Sequence, residues 1–270
     1  MLKKDLCIET IYTELPFEKR FAAAKADGFD AVEIWSWEDR DPERIRELLA
    51  ENGMTLAAMS GDGPYSMCDP SAKKDYIDYI RRSIETAGRL GVHTLVIHSD
   101  ALEDDPPYAK KLNGNYSDLA KSLAMFDVLR EIAPLGEKAG IIFVLEALNI
   151  VKEHIGNFLQ HTETSADFVR AAGSDSIRIL YDAYHMYLNE GKICETAEKY
   201  LPYLGHIHIA DAPGRHEPGT GVLNYRQFIK HLDRIGYEGY VGFELFPERD
   251  SATAVKAILD CFQDDIPVKT

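Results

Sequence analysis

Eight times along this 270-residue chain, a short apolar or β-branched run is followed by a stretch with helical spacing. The strand-like runs fall at about 4–9, 30–35, 54–60, 93–98, 141–146, 177–182, 205–210 and 240–245. Runs that bury both faces are what parallel strands look like in sequence, and strand–helix alternation predicts a parallel sheet. An eightfold count favours closure. The expected class is therefore α/β, a single (β/α)8 barrel ringed by helices, and a length near ~250 residues suits it. Helix boundaries are well punctuated: Asp41 precedes Pro42 and Gly53 follows Asn52, while Asp69-Pro70 opens a longer helix closed by Gly91. Thr162 with Ser165 opens another, ended by Gly173, and Pro134 should kink or tighten the helix before Gly140. No Pro/Gly/Ser-rich linker divides the chain, so residues 1–270 are expected to form one domain.

Four of the runs stop at a potential metal ligand: Ile142-Phe143-Val144-Leu145-Glu146, Ile179-Leu180-Tyr181-Asp182, His206-Ile207-His208 and Val241-Gly242-Phe243-Glu244. Parallel α/β folds place their chemistry where strands hand over to loops. Any one of these residues could be a strand-end group paired with a Lys or Arg. Three carboxylates converging without a cation, however, would repel and raise one another's pKa. The set Glu146, Asp182, His208 and Glu244 thus reads as a site for one divalent ion. Three oxygen donors and one nitrogen suit Mn²⁺, Mg²⁺, Co²⁺ or Zn²⁺.

A metal beside carboxylates suggests proton transfer next to a carbonyl. The cation acidifies the C–H, a carboxylate removes the proton, and the enediolate is stabilised. Glu146 and Glu244, on the fifth and eighth strands, are the acid/base pair. Return of the proton to the adjacent carbon isomerises; return to the opposite face epimerises. His185 and Arg215 could hold the oxyanion, although His185 could instead cap its strand or pack with Tyr184 and Tyr187. His98 and Glu33 end or approach the ends of strands four and two, and either reach substrate or play structural parts. His206 alternates with His208 and faces the same side, as a supporting group or a satisfied core histidine. Trp35 and Trp37 form an apolar wall near the opening or simply pack. The loop 211–221 holds three glycines and two prolines, which implies a fixed backbone path. It matches no phosphate-binding pattern.

A formal net charge of −15 opposes binding to a phosphate backbone and disfavours a membrane surface. Cys7, Cys68, Cys194 and Cys261 are scattered without a CxxC pair, as expected of reduced thiols in a cytoplasmic protein. No window approaches a transmembrane length. The partner expected is a small sugar or sugar acid. The oligomeric state, a homo-oligomer included, is left open.

The stretch from Gly205 through Asp211 to Gly221, together with Tyr181-Asp182-Ala183-Tyr184-His185-Met186, closely resembles the hydroxypyruvate isomerase group of the xylose-isomerase-like TIM barrels. The resemblance implies a divalent metal on Glu146, Asp182, His208 and Glu244, with Glu146 and Glu244 transferring protons. It also implies substrate contacts from His185 and Arg215. The substrate implied is a small 2-hydroxycarbonyl compound of the hydroxypyruvate/tartronate semialdehyde type. At the position of His208 some hydroxypyruvate isomerases have Gln, whereas ketose 3-epimerases have His. The 3-epimerases carry a second Glu six residues after the strand-five Glu; here that residue is Lys152, a cation suited to a carboxylate-bearing substrate or a solvated rim residue. A ketose 3-epimerase or a keto-inositol isomerase using the same machinery is the alternative. A non-catalytic sugar-binding barrel is the alternative of another class. Strand three ends in Ala57-Ala58-Met59-Ser60 with no His, which with the acidic charge argues against an endonuclease IV-type enzyme.

Overall fold

In the computed structural model, residues 2–103 and 108–263 are described. The eight expected runs are eight parallel strands closed into a barrel. In chain order the strands are β1 (Lys3–Cys7), β2 (Ala31–Ile34), β3 (Thr55–Ser60), β4 (Thr94–His98), β5 (Leu102–Glu103), β6 (Tyr108–Ala109), β7 (Ile142–Glu146), β8 (Ile177–Asp182), β9 (Leu204–Ile209) and β10 (Tyr240–Phe243). The barrel runs β1-β10-β9-β8-β7-β4-β3-β2, while β5 and β6 form an antiparallel pair in the loop after β4 that the sequence reading did not foresee. Outside lie α1 (Phe17–Ala26), α2 (Pro42–Asn52), α3 (Lys73–Leu90), α4 (Asp118–Ala139), α5 (Thr162–Ala172), α6 (Ala183–Glu190), α7 (Ile193–Tyr200), α8 (Tyr225–Ile235) and α9 (Ser251–Asp260).

Local chemistry accounts for most helix ends. Asp41 caps α2 by accepting from the Glu43 N–H, Pro42 occupies the first turn, and Gly53 closes it in the left-handed conformation. Asp69-Pro70 opens a single 3₁₀ turn that leads into α3. As expected, α5 opens at Thr162 and is closed by Gly173; its N-cap is His161, which makes no side-chain cap, and the Thr162 hydroxyl donates to Glu190. Pro134 lies inside a helix that runs from Asp118 to Ala139.

The main core lies between the barrel and its helices, where Leu6, Phe21, Ile80, Phe143, Tyr181 and Phe228 are fully enclosed. A separate cluster, Ala58, Val96, Val144 and Leu180, comes from β3, β4, β7 and β8. Val96, Val144 and Leu180 stand two residues before His98, Glu146 and Asp182 on their strands, so both sets point to the barrel interior. Register then stacks the site. His98 pairs with Glu146, Asp182 with His208, and His208 with Gly242, at one level of the barrel. The four cysteines are free thiols. No helix among the described residues is long and apolar enough to cross a membrane.

Candidate active site

A cavity of about 530 Å³ opens at the C-terminal ends of the strands. Glu33, His98, Glu146, His208, Arg215 and Glu244 line it. Asp182 and His185 stand behind that lining, 1 % and 0 % exposed. Lys152 does not line it. Its side chain is exposed and its ammonium donates to the Pro213 carbonyl at 2.6 Å, tying two loops together, which is the position of the rim-residue alternative. The next residue, Glu153, turns into the cavity instead.

Three of the four expected ligands meet. Glu146, Asp182 and His208 each offer a ligating atom within 4.8 Å of the others. Each also has one buried side-chain atom with no hydrogen-bond partner: Glu146 Oε1, Asp182 Oδ2 and His208 Nδ1. A buried polar atom left unpaired is costly, so three together indicate a missing partner. A hard or borderline cation fits two carboxylate oxygens and an imidazole nitrogen. The fourth residue, Glu244, lies 3.9 Å from His208 Nδ1, but both its oxygens are engaged: Trp35 Nε1 donates to Oε1 at 2.6 Å and Arg215 to Oε2.

Each ligand is held from behind. Asp182 Oδ1 accepts the His185 N–H as the cap of α6, which leaves Oδ2 facing the site. His208 donates from Nε2 to Glu33 Oε2 at 2.8 Å, and Glu33 Oε1 accepts from His206. Such a carboxylate behind a histidine fixes the ring and frees its other nitrogen for a ligand. Both Glu33 oxygens are thus committed to histidines, and His206 to Glu33. Behind them Asp5 is fully buried. Gly242 makes room for this group: a Cβ there would lie 2.6 Å from Asp5 Oδ1 and 2.9 Å from His208 Cδ2. His98 donates from Nδ1 to Asp62 at 3.2 Å and from Nε2 to Glu146 Oε2 at 3.0 Å.

These contacts set the charges. Burial works against the His98 cation, but Asp62 and Glu146 outweigh it and raise its pKa well above the usual range. Burial likewise opposes ionisation of Glu244, yet Arg215 and His208 hold its pKa low. Asp182 is pushed up to about 7, first by burial and then by Glu146. A carboxyl so perturbed, among like charges in a cleft, marks a functional site.

Arg215 is placed by the loop after β9. The Asp211 carboxylate accepts the N–H groups of Ala212, Gly219, Gly221 and Leu223, so the glycine-rich loop folds on its own acid and these four amides are not left for a phosphate. Arg215 and His154 both adopt the left-handed backbone region (φ 59° and 51°). Non-glycine residues there carry strain that clusters at functional positions.

Sequence reading missed Asp62, Asn149, Glu153 and His154, and passed over Asp5. Asp5 had a legible signal, an acid inside an apolar strand run. The others sit on loops whose paths no periodicity predicts.

The family model of the xylose isomerase-like TIM barrels matches residues 21–264. The chain is 28% identical to a 2-oxo-tetronate isomerase of Cupriavidus necator, over 92% of this chain and 94% of that one. It is 27% identical to the hydroxypyruvate isomerase of Escherichia coli K12, over 95% and 98%. Among solved structures, an AP endonuclease, family 2, from Brucella melitensis superposes with a TM-score of 0.87 at 24% identity, covering 98% of this chain and 100% of that one. A D-psicose 3-epimerase from Clostridium cellulolyticum H10 gives 0.76 at 21%, covering 95% and 90%. At these identities the structural likenesses speak to the fold.

Proposed function

Because this chain belongs to the xylose isomerase-like TIM barrel family, we propose that its cavity isomerises a small 2-hydroxycarbonyl compound of the hydroxypyruvate or 2-oxo-tetronate type. The protein is an enzyme of the isomerase class. The observation that carries the finer reading is the trio of unpartnered atoms, Glu146 Oε1, Asp182 Oδ2 and His208 Nδ1, beneath a cavity that Glu146 and Glu244 both line.

Glu146, Asp182 and His208 would hold a divalent ion, and Glu244, whose oxygens now pair with Trp35 and Arg215, is the expected fourth ligand. When bound, such an ion would acidify the substrate C–H and screen the carboxylates from one another. The remaining chemistry belongs to the chain. Glu244, kept ionised by Arg215, takes a proton from the hydroxyl-bearing carbon next to the carbonyl. The C–H electrons form the C–C double bond of an enediolate, and the carbonyl electrons move onto its oxygen. Arg215, which lines the cavity, would hold that oxyanion, with His185 buried behind the lining as the second expected contact. Glu146, taking a proton from the hydrogen-bonded His98 cation, would deliver it to the former carbonyl carbon. As the neighbouring hydroxyl becomes the new carbonyl its proton passes to the oxyanion, and the proton held by Glu244 returns through solvent to restore His98. Delivery to the opposite face of the first carbon would instead epimerise it.

Solvent-deuterium NMR on hydroxypyruvate, 2-oxo-tetronate, small ketoses and keto-inositols tests the reading. With Mn²⁺ or Mg²⁺ present, the wild type should wash deuterium into one of them. Glu146→Gln and Glu244→Gln should each abolish that exchange while remaining folded by circular dichroism. Full activity in either variant would reject the two-base scheme. A barrel that only binds sugars would leave every C–H unexchanged.

A further inference from the structure

A second cluster of donor-type residues borders the site. Glu153, His154 and His185 each offer a ligating atom within 4.8 Å of the others, and on residue type alone they read as another cation site. The hydrogen bonds around His185 point elsewhere. Its Nδ1 faces two N–H donors, the Asn149 side-chain amide at 2.7 Å and the Asn149 backbone at 3.4 Å. The amide cannot be turned around, because its Oδ1 already accepts from the backbone N–H groups of Val151 (3.2 Å), Lys152 (3.0 Å) and Glu153 (3.3 Å). A flip would press an NH₂ group against three N–H groups. His185 Nδ1 therefore carries a lone pair, and the ring proton sits on Nε2. That nitrogen is buried, has no hydrogen-bond partner, and lies 3.7 Å from Asp182 Oδ2. An Nε2–H group has no lone pair to give a metal, so His185 in this tautomer does not complete a three-ligand cation site.

We propose that Asn149 is a positioning residue that selects the Nε2–H tautomer of His185, so that the ring presents a neutral donor to a substrate oxygen. The assignment of that oxygen to a substrate rests on the isomerase reading; the tautomer does not. A neutral imidazole can stabilise developing negative charge without handing over a full proton. Burial, reinforced by Arg215 and His154, keeps the His185 pKa well below its usual value, in agreement with the hydrogen-bond pattern. The same Asn149 side chain folds the turn that carries Glu153, whose carboxylate reaches Arg215 at 3.1 Å and Tyr184 at 3.3 Å. One fully buried amide thus sets both the tautomer and the turn beside it.

The test is ¹⁵N NMR of histidine-labelled, metal-free full-length protein at pH 7, with the His185 signal assigned by its loss in His185→Gln. The expected wild-type spectrum has a lone-pair nitrogen at Nδ1 and a protonated one at Nε2. A protonated Nδ1 in the wild type would overturn the proposal, and this measurement needs no variant to fold. Asn149→Asp keeps an acceptor for the three backbone amides but sets an acceptor against Nδ1, which should then take up a proton; an unchanged Nδ1 signal would also overturn it. In Mn²⁺-loaded enzyme with hydroxypyruvate in D₂O, Asn149→Asp should lower kcat on the order of 10²-fold, with KM changed less. Unchanged kcat with a protonated Nδ1 would remove the tautomer from catalysis. The expected wild-type spectrum in a protein that exchanges no substrate would sink the isomerase reading and leave the tautomer standing. A protonated Nδ1 in an active enzyme would do the reverse.

Discussion

Acidification should destabilise the folded protein through His154, and a comparison with His154→Gln isolates that effect. His154 is 5 % exposed and neither ring nitrogen has a hydrogen-bond partner, the Glu153 carboxylate lying 4.0 Å from Nε2. Burial, with the nearby charges of Arg215 and His98, lowers its pKa from 6.5 to about 3. The folded protein thus keeps the ring neutral where the unfolded chain protonates it. Below pH 6.5 the unfolded state binds a proton that the native state does not, so stability falls with pH, and the loss stops growing only near pH 3. From pH 6.5 to 5 the interval is 1.5 units, and 1.5 × 1.36 kcal/mol is about 2 kcal/mol. Asp182 acts in the opposite sense. Its pKa is raised to about 7, so between 7 and the ordinary 3.8 the native state holds the extra proton and gains stability as pH falls. Both proteins carry Asp182, so its contribution cancels in the comparison. Urea unfolding of the chelator-treated proteins at pH 7 and pH 5 is the assay. The wild type should lose about 2 kcal/mol more than His154→Gln on acidification. Equal losses would refute the picture of a neutral, buried His154.

Two further outcomes follow from the site. Mn²⁺ added at 100 times its Kd should raise the unfolding free energy by about 2.7 kcal/mol, read as a higher Tm, and His208→Ala should remove most of that gain. A wild-type Tm indifferent to every divalent ion would defeat the ligand set. Gly242→Ala should cost about 1–3 kcal/mol, because its methyl would lie 2.6 Å from Asp5 Oδ1 with barrel backbone on both sides. An unshifted urea midpoint would mean that the barrel interior has slack there.

Much of this protein was legible residue by residue. Parallel strands buried on both faces are largely apolar, so β7 and β8 announced themselves and Glu146 and Asp182, which end them, stood out; His208 lies one residue before the end of β9. Asp41, Pro42 and Gly53 marked α2 because capping is a local affair of a few dihedrals and one or two hydrogen bonds. The convergence of Glu146, Asp182 and His208 was also readable, since a closed parallel barrel brings successive strand ends to one rim.

Tertiary structure alone decided who stands behind whom. Lys152 and Glu153 are neighbours in sequence, yet one points to a loop carbonyl and the other to Arg215, because a turn gathered on Asn149 Oδ1 sets their directions. Glu33 and His208 lie 175 positions apart and meet only when β1 and β10 bring β2 and β9 onto one wall of the closed barrel. Periodicity encodes which face of a strand is buried, and that is a property of the nearest few residues. The orientation of a side chain, the nitrogen of an imidazole that bears the proton, and the charge of a carboxyl depend on groups brought from elsewhere in the chain. Those were settled only when the barrel closed.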